Sequence, residues 1–205
     1  LDPVLDFFNI KSYFNLKVMK ENQTLFYITS NILSSLKTTL ETYKPDLVFV
    51  HGDTTTAFIS SLACFYLKIK IAHIEAGLRT KDKYSPFPEE MNRTLISSLA
   101  DFHFAPTKRS KSNLLDLKIP EQRIKITGNT VIDSLLMAKE IVLKDSNYQI
   151  NGVDNNKKII LFTGHRRENF GTGFEKIFKS LKKISKNYPD IQIVYPVHPN
   201  PNVKK

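Results

Sequence analysis

The stretch PDLVFVHGDTTT, residues 45–56, predicts a buried β-strand followed by the start of a helix. Its apolar run LVFVH is short and continuous, a proline precedes it, and Gly-Asp follows it. Such a run is typical of a strand buried on both faces of a parallel sheet. Either Asp53 or Thr54 can cap the helix that comes next. The stretch therefore predicts one strand–helix step of an α/β fold.

The same strand–helix step recurs along the chain. The apolar and amphipathic runs predict helices at 24–44, 129–143 and 174–186 and strands at 46–51, 69–75, 101–106, 123–128, 158–164 and 191–197. Alternation at this spacing favours parallel strands with right-handed crossovers, a doubly wound α/β sheet. A polar, Asn-rich stretch interrupts it. We therefore expect a Rossmann-like domain at 1–146, a linker at 147–157 and the start of a second Rossmann-like domain at 158–205.

Composition narrows the class of protein. The chain has 205 residues, and 30 Lys and Arg against 20 Asp and Glu give a formal charge of +10. This charge suits polyanions, but the lysines are scattered, so we expect no nucleic-acid partner. The single cysteine, Cys64, excludes a disulfide scaffold, and we interpret it as a small buried residue. No apolar run reaches the roughly 18 residues of a membrane span. The ends, LDPVLDFF and VHPNPNVKK, lead us to expect a piece of a longer protein.

Acidic residues follow two neighbouring predicted strands. Asp53 follows the strand at 46–51, and Glu75 closes the strand IKIAHIE. Parallel neighbours lie about 5 Å apart, so both carboxylates are expected at one edge of the sheet, where α/β folds bind ligands. Taken alone, Asp53 is best explained as a helix cap. Glu75 is harder to explain in this way, because a charge at the end of so apolar a strand costs free energy unless it has a partner or a function.

The loop SPFPEEMNR, residues 85–93, adds further charges near this edge. Pro88 suits a first helical turn, and the acids after it suit the positive helix start. Glu89 and Arg93 are four residues apart and are expected to pair. An exposed salt bridge explains this pair when it is taken alone. Beside Asp53 and Glu75, a shared cleft explains it better.

The second half contributes cations after a buried strand. TGHRREN places His165, Arg166 and Arg167 there, ahead of a glycine-rich helix start that favours anions. His198 follows the last strand. The sequence fits a structural role and a ligand-contacting role for this histidine equally well. No His or Cys set has the spacing of metal ligands, so we assign no metal. Three other histidines lie within predicted strands and are expected to be packed core residues: His51, His73 and His103.

Six co-linear motifs resemble one family, the non-hydrolysing UDP-N-acetylglucosamine 2-epimerases. They are HGDTTTAF, HIEAGLRT, YSPFPEEMNR, ITGNTVIDSLL, TGHRREN and IQIVYPVHPNP. The resemblance implies a glycosyltransferase-B fold with the nucleotide sugar between two Rossmann-like domains. It implies reversible conversion of UDP-GlcNAc to UDP-ManNAc by elimination and readdition of UDP. It also implies a cytoplasmic homodimer without cofactor or membrane partner, which serves bacterial surface polysaccharide synthesis.

The resemblance also implies roles for individual residues. Asp53, Glu75 and Glu89 match the family's catalytic carboxylates, with Arg93 beside them and His165 at the UDP. Asp53, Glu75 and His165 would contact the UDP-sugar. A second, activating substrate site would involve three residues, of which the first borders both sites: Glu89, Arg166 and His198.

The chain departs from the family pattern at both ends. The family's opening Gly-Thr-Arg-Pro-Glu strand and its later Asp-Ser-Gly-Gly segment are absent. We therefore expect the 205-residue chain alone to be inactive. The alternatives are a hydrolysing 2-epimerase that releases UDP and free ManNAc, a glycosyltransferase, and a non-enzymatic anion-binding α/β module. The cluster of acids at 75–93 disfavours a transferase, because inverting transfer needs only one base.

Overall fold

A computed structural model describes residues 2–20, 22–145, 149–164 and 172–197. Helices and strands alternate through most of these ranges, as the sequence predicts. The helices are α1 (Asp2–Phe7), α2 (Leu25–Tyr43), α3 (Thr55–Tyr66), α4 (Glu89–Leu99), α5 (Lys108–Asp116), α6 (Thr130–Lys144) and α7 (Thr172–Asn187). The strands are β1 (Leu47–His51), β2 (Lys70–Ile74), β3 (Phe102–Ala105), β4 (Ile124–Ile126), β5 (Lys158–Leu161) and β6 (Ile191–Val194).

Strands β1 to β4 form one parallel sheet in the order β1-β2-β3-β4. Each crossover between neighbouring strands passes through a helix, which is what parallel pairing requires. In β1 and β2, Val50 pairs with His73 and His51 with Ile74, so the two strands end side by side. The parallel α/β class predicted from the strand–helix alternation is therefore confirmed.

The main core lies between this sheet and helices α2, α3 and α4. Ile71 and Ile96 are almost completely buried there, and each such side chain stabilises the fold by about 1.5–3 kcal/mol. Cys64 belongs to the same core, and its burial raises the pKa of its thiol to about 11. The thiol is therefore neutral at physiological pH, as expected of a packing residue.

The expectation that β1 is buried on both faces is wrong for this chain. Val48 and Val50 face the core of α2 and α3, whereas Phe49 on the opposite face is 58% exposed and stacks on Phe104. Helix α3 packs on the Val48 and Val50 face of β1, which leaves the Phe49 face the more open of the two. Helix α6 likewise has no buried residue.

The chain divides into two compact units, Leu1–Ile141 and Val142–Lys205. The second contains the parallel pair β5-β6 and helix α7. Partly buried aromatic side chains pack together in it: the ring centroids of Phe162 and Tyr195 lie 4.9 Å apart, and the Tyr195 hydroxyl donates to the Gly164 carbonyl. The proposed linker at 147–157 remains a prediction. No helix within the described ranges has the length and apolar character needed to cross a membrane.

Candidate active site

Asp53 lies directly beyond the carboxyl end of β1. Thr54, and not Asp53, caps α3, because its side chain accepts the N–H of Ala57 at 3.1 Å. The Asp53 carboxylate is therefore free for another partner. Its Oδ2 lies 2.8 Å from Nη2 of Arg93 in α4, in an ion pair whose side chains are 27% and 11% exposed. A charge-assisted contact of this length is strong, and it leaves part of Asp53 open to solvent.

Glu75 lies at the matching end of β2. Its Oε2 is 3.4 Å from Nε2 of His51 and 3.5 Å from where a Cβ on Gly52 would be. Glu75 therefore reaches over the β1 end, to His51 and to Gly52, the residue before Asp53. Its φ of +67° is left-handed, which costs a residue with a side chain roughly 1 kcal/mol or more. His51 is exposed beside it, so the expectation that His51 is a core residue is wrong.

The backbone of Gly52 and Asp53 is fixed by three contacts. Nε2 of His73 donates to the Gly52 carbonyl at 2.8 Å, and the Gly52 N–H donates to the Ile74 carbonyl at 3.0 Å. The side-chain amide of Asn92 in α4 donates to the Asp53 carbonyl at 2.9 Å. The Asp53 loop therefore has one defined position relative to β2 and α4.

Helix α4 begins at Glu89, with Pro88 at the capping position, one residue earlier than the first-turn position predicted for it. Arg93 Nε donates to the backbone carbonyl of Glu89 at 3.3 Å, while the guanidinium pairs with the carboxylates of Asp53 and Glu90. The expected Glu89–Arg93 side-chain pair is therefore replaced by two others. Glu89 itself is half-buried in the first turn of α4.

Glu90 is a buried part of the site that the sequence patterns do not single out. It is 1% exposed, and its carboxylate accepts from Nε of Arg79 at 2.8 Å and from the N–H groups of Thr80 and Lys81. Burial alone raises the pKa of the Glu90 carboxyl, but these donors outweigh it and the pKa is lowered overall. The spacing in the sequence does carry a signal for this residue. Glu90, Arg93 and Ile96 are three residues apart, which places Glu90 on the same side of α4 as an apolar residue.

The remaining predicted residues, His165, Arg166 and His198, lie outside the described residues. In the sequence they follow strands β5 and β6, which end at Leu161 and Val194. No group of three His, Cys, Asp or Glu within the described ranges could hold a metal ion. The part of the candidate site that the structure describes thus consists of the Asp53 and Glu75 carboxylates and the Arg93 guanidinium, near the carboxyl ends of β1 and β2. Such a set can take and return protons and can hold a charged ligand.

His73 and His103 form a buried pair beneath this site, paired in register across β2 and β3. Burial lowers the pKa of His73 to about 4, despite its bond to Gly52. Burial also lowers the pKa of His103 to about 4, and the neighbouring His73 adds to that effect. Both rings are therefore neutral in the folded protein at physiological pH. His51, Arg93, Asp101 and Arg123 are the charged or titratable groups that act on them.

We expect the whole protein to lose stability in mild acid because of this pair. The unfolded chain takes up protons near the ordinary histidine pKa of 6.5, and the folded chain does so only near 4. Above pH 6.5 this pair does not reduce the free energy of unfolding. As the pH falls from 6.5 toward 4, the free energy of unfolding decreases, because the unfolded chain binds the protons that the folded chain does not. At about 1.4 kcal/mol per pKa unit, the loss is on the order of a few kcal/mol.

Thermal unfolding between pH 7.5 and 4.5 measures this loss. Replacing His103 by leucine removes one of the two rings and should flatten the decline in Tm over this pH range. An unchanged pH slope in His103→Leu would show that acid acts through other groups.

Comparison with known proteins places this geometry in a family. The family model for UDP-N-acetylglucosamine 2-epimerase matches residues 1–205. The UDP-N-acetylglucosamine 2-epimerase of Yersinia pestis is 51% identical over 211 residues, which cover 100% of this chain and 56% of the relative. That of Escherichia coli K12 is 51% identical over 213 residues, with the same coverage. The chain thus spans about half the length of these curated relatives.

Solved structures show the same likeness. The crystal structure of UDP-GlcNAc 2-epimerase from Neisseria meningitidis bound to UDP-GlcNAc matches with a TM-score of 0.90 and 51% identity, over 98% of this chain and 56% of that one. The enzyme from Methanocaldococcus jannaschii in complex with UDP-GlcNAc and UDP matches with a TM-score of 0.83 and 33% identity, over 99% and 55%. These matches confirm the glycosyltransferase-B-like fold class predicted from the motifs. The chain belongs to the UDP-N-acetylglucosamine 2-epimerase family.

Proposed function

We propose that this chain is part of an isomerase that interconverts UDP-GlcNAc and UDP-ManNAc at C2 of the sugar. One observation carries the proposal: Asp53, in its ion pair with Arg93, and Glu75 lie at neighbouring strand ends, at an edge where α/β folds bind ligands. Family membership supports it, as do relatives solved with UDP-GlcNAc bound.

The chemistry explains why more than one carboxylate is needed. The C2 proton of GlcNAc is not next to a carbonyl, so its direct removal is implausible at neutral pH. When the C1–O bond breaks, UDP leaves with the electron pair, the ring oxygen shares the positive charge, and C2–H becomes acidic. A base then takes the C2 proton, which leaves a C1–C2 double bond. Readdition of UDP to C1, with a proton delivered to C2 on the opposite face, gives the other epimer.

Residues on separate loops suit this two-faced proton transfer. Asp53 follows β1 and Glu75 follows β2, so their carboxylates approach from different strands, and Glu89 belongs to a third element, α4. General acid–base help of this kind is worth about 10²–10⁴-fold. His165 is proposed to stabilise the departing UDP, whose negative charge grows as the bond breaks.

The finer parts of the proposal follow the sequence resemblance. The whole enzyme would be a cytoplasmic homodimer, would bind UDP-GlcNAc, UDP-ManNAc and UDP, and would supply bacterial surface polysaccharide synthesis. Glu89, Arg166 and His198 would form an activating substrate site. We further propose the domain limits at 1–146 and 158–205, with the linker at 147–157.

Proton NMR of UDP-GlcNAc in D₂O with the whole protein tests the reaction. We expect deuterium to appear at C2 and UDP-ManNAc to form, with the 205-residue chain alone as the inactive control. Release of free ManNAc would indicate a hydrolysing enzyme instead. If the whole protein neither incorporates deuterium at C2 nor forms a new sugar, both kinds of epimerase are excluded.

A further inference from the structure

Glu90 joins a row of alternating charges that ends at Asp53. Arg79 Nε lies 2.8 Å from Oε1 of Glu90, and Oε2 of Glu90 lies 3.6 Å from Nε of Arg93. Nη2 of Arg93 then lies 2.8 Å from Oδ2 of Asp53. The row runs plus, minus, plus, minus, so its formal charge is zero. Exposure falls from 27% at Asp53 to 1% at Glu90, which places Glu90 behind the site and away from solvent.

A carboxylate as buried as Glu90 persists only where several donors compensate its lost hydration. Three of its donors, the Arg79 side chain and the N–H groups of Thr80 and Lys81, belong to the loop after β2. Holding that loop would be a sufficient structural role for Glu90. It does not explain why the same carboxylate also faces Arg93, whose other nitrogen holds Asp53.

Arg93 is held at both ends of its guanidinium. Its Nε faces Oε2 of Glu90 and donates to the Glu89 carbonyl at 3.3 Å, which fixes the plane of the group. Its Nη2 is thereby aimed at Asp53. If Glu90 were neutral, Arg79 and Arg93 would lie on either side of a group without charge, with Asp53 as the one remaining carboxylate of the row. Mutual repulsion and the loss of the negative charge that faces Nε would both favour a different orientation of Arg93, although Nε keeps the Glu89 carbonyl as its acceptor.

We propose that Glu90 is a positioning residue for the reaction: through Arg93 it fixes the place and the charge balance of the Asp53 carboxylate. The inference rests on the proposed function, because Asp53 is taken as a catalytic acid or base. Glu90 does not touch the sugar in this scheme. Its effect therefore falls on the chemical step rather than on substrate binding.

The first test is Glu90→Gln in the whole protein, since glutamine keeps the shape and removes the charge. We expect kcat to fall at least about tenfold while KM changes less than about threefold, since a misplaced proton-transfer group mainly slows chemistry. Glu121→Gln is the matched control: it also neutralises a glutamate in an ion pair, with Lys111 of α5, but Glu121 is exposed and lies in the short turn between α5 and β4. Its kcat should equal that of the wild type. A rise in KM alone in Glu90→Gln would overturn the inference.

A double-mutant cycle separates positioning from general support of the fold. If Glu90 acts through Asp53, Glu90→Gln should cost less than about twofold further in kcat once Asp53 is asparagine, because residues that act as a unit are not additive. Multiplicative losses in the double variant would show that Glu90 acts independently of Asp53. If Glu90→Gln does not fold, Arg93→Lys replaces it, because a lysine keeps the charge but cannot bridge Glu90 and Asp53 with planar geometry. It should give the same loss in kcat and the same non-additivity with Asp53→Asn.

A crystal structure of the whole protein with Glu90→Gln tests the inference without turnover. We expect the contact between Arg93 Nη2 and Asp53 Oδ2 to be lost or lengthened, and an unchanged contact would overturn the inference. Deuterium incorporation by the wild type, as described above, tests the proposed function separately. If the wild type is inactive, the proposed function fails, and the crystal structure alone decides whether Glu90 positions Arg93.

Discussion

Replacing Asp53 by asparagine in the whole protein is expected to lower kcat for epimerisation by about 10²–10⁴-fold, the range typical of losing one general acid or base. Asparagine keeps the size of the side chain and can still accept a hydrogen bond from Arg93, so the loop should keep its position. Thr54, which caps α3, is unaffected by the change. The loss should therefore fall on turnover, with Tm changed by only a few degrees.

Asp46→Asn is the matched control for this experiment. Asp46 is exposed and directly precedes the amino end of β1, whereas the candidate site lies at its carboxyl end. The same chemical change there should leave kcat and Tm at the wild-type values. Both variants are measured by deuterium incorporation at C2 and by thermal unfolding. Wild-type turnover in Asp53→Asn would remove Asp53 from the mechanism, and a collapse of Tm would show that its ion pair with Arg93 serves the fold instead.

The position of the site was predictable because strand ends are readable in the sequence. Apolar runs located β1 and β2, and parallel pairing then required Asp53 and Glu75 to share an edge. The roles of these residues stay a proposal, but their neighbourhood follows from two periodic patterns. The choice between Asp53 and Thr54 as the cap of α3 was not readable, since both side chains can accept a backbone N–H.

The partners of Arg93 were not predictable from spacing within α4. The four-residue rule pointed to Glu89, but the structure pairs Arg93 with Glu90, three residues before it, and with Asp53 from another element. The rule describes an isolated helix in water. In a packed helix, a charged side chain on the buried side pairs with whichever opposite charge lies near it there, because a buried charge without a partner costs much free energy.

Burial itself was predicted too widely. His51 and Phe49 belong to β1, which the sequence pattern predicts to be buried on both faces, yet both are exposed in this chain. A pattern of apolar residues shows that a strand is built to be covered. It does not show on which of the strand's two faces a helix packs, and in this chain that is the face of Val48 and Val50.

Gly77→Ala is expected to have the largest effect on stability of any single methyl addition at a described glycine. Gly77 lies two residues after Glu75, has a φ of +88°, and its carbonyl accepts the side-chain amide of Asn113 at 2.9 Å. A Cβ there would lie 2.2 Å from the carbonyl oxygen and 2.8 Å from the carbonyl carbon of Ser110 in α5. These atoms are backbone, so relief requires α5 to move, or the loop that carries Glu75.

We expect this clash to cost about 3 kcal/mol or more, at the upper end of overpacking effects, in addition to about 1 kcal/mol for the left-handed backbone. At roughly 2–4 °C per kcal/mol for a domain of this size, Tm should fall by about 8 °C or more. Gly152→Ala separates the two contributions, since Gly152 has a φ of +81° but no described atom within 4 Å of the added methyl. Its Tm should fall by only a few degrees. Equal losses in the two variants would mean that backbone strain alone accounts for Gly77, and that α5 does not constrain the loop from Glu75 to Gly77.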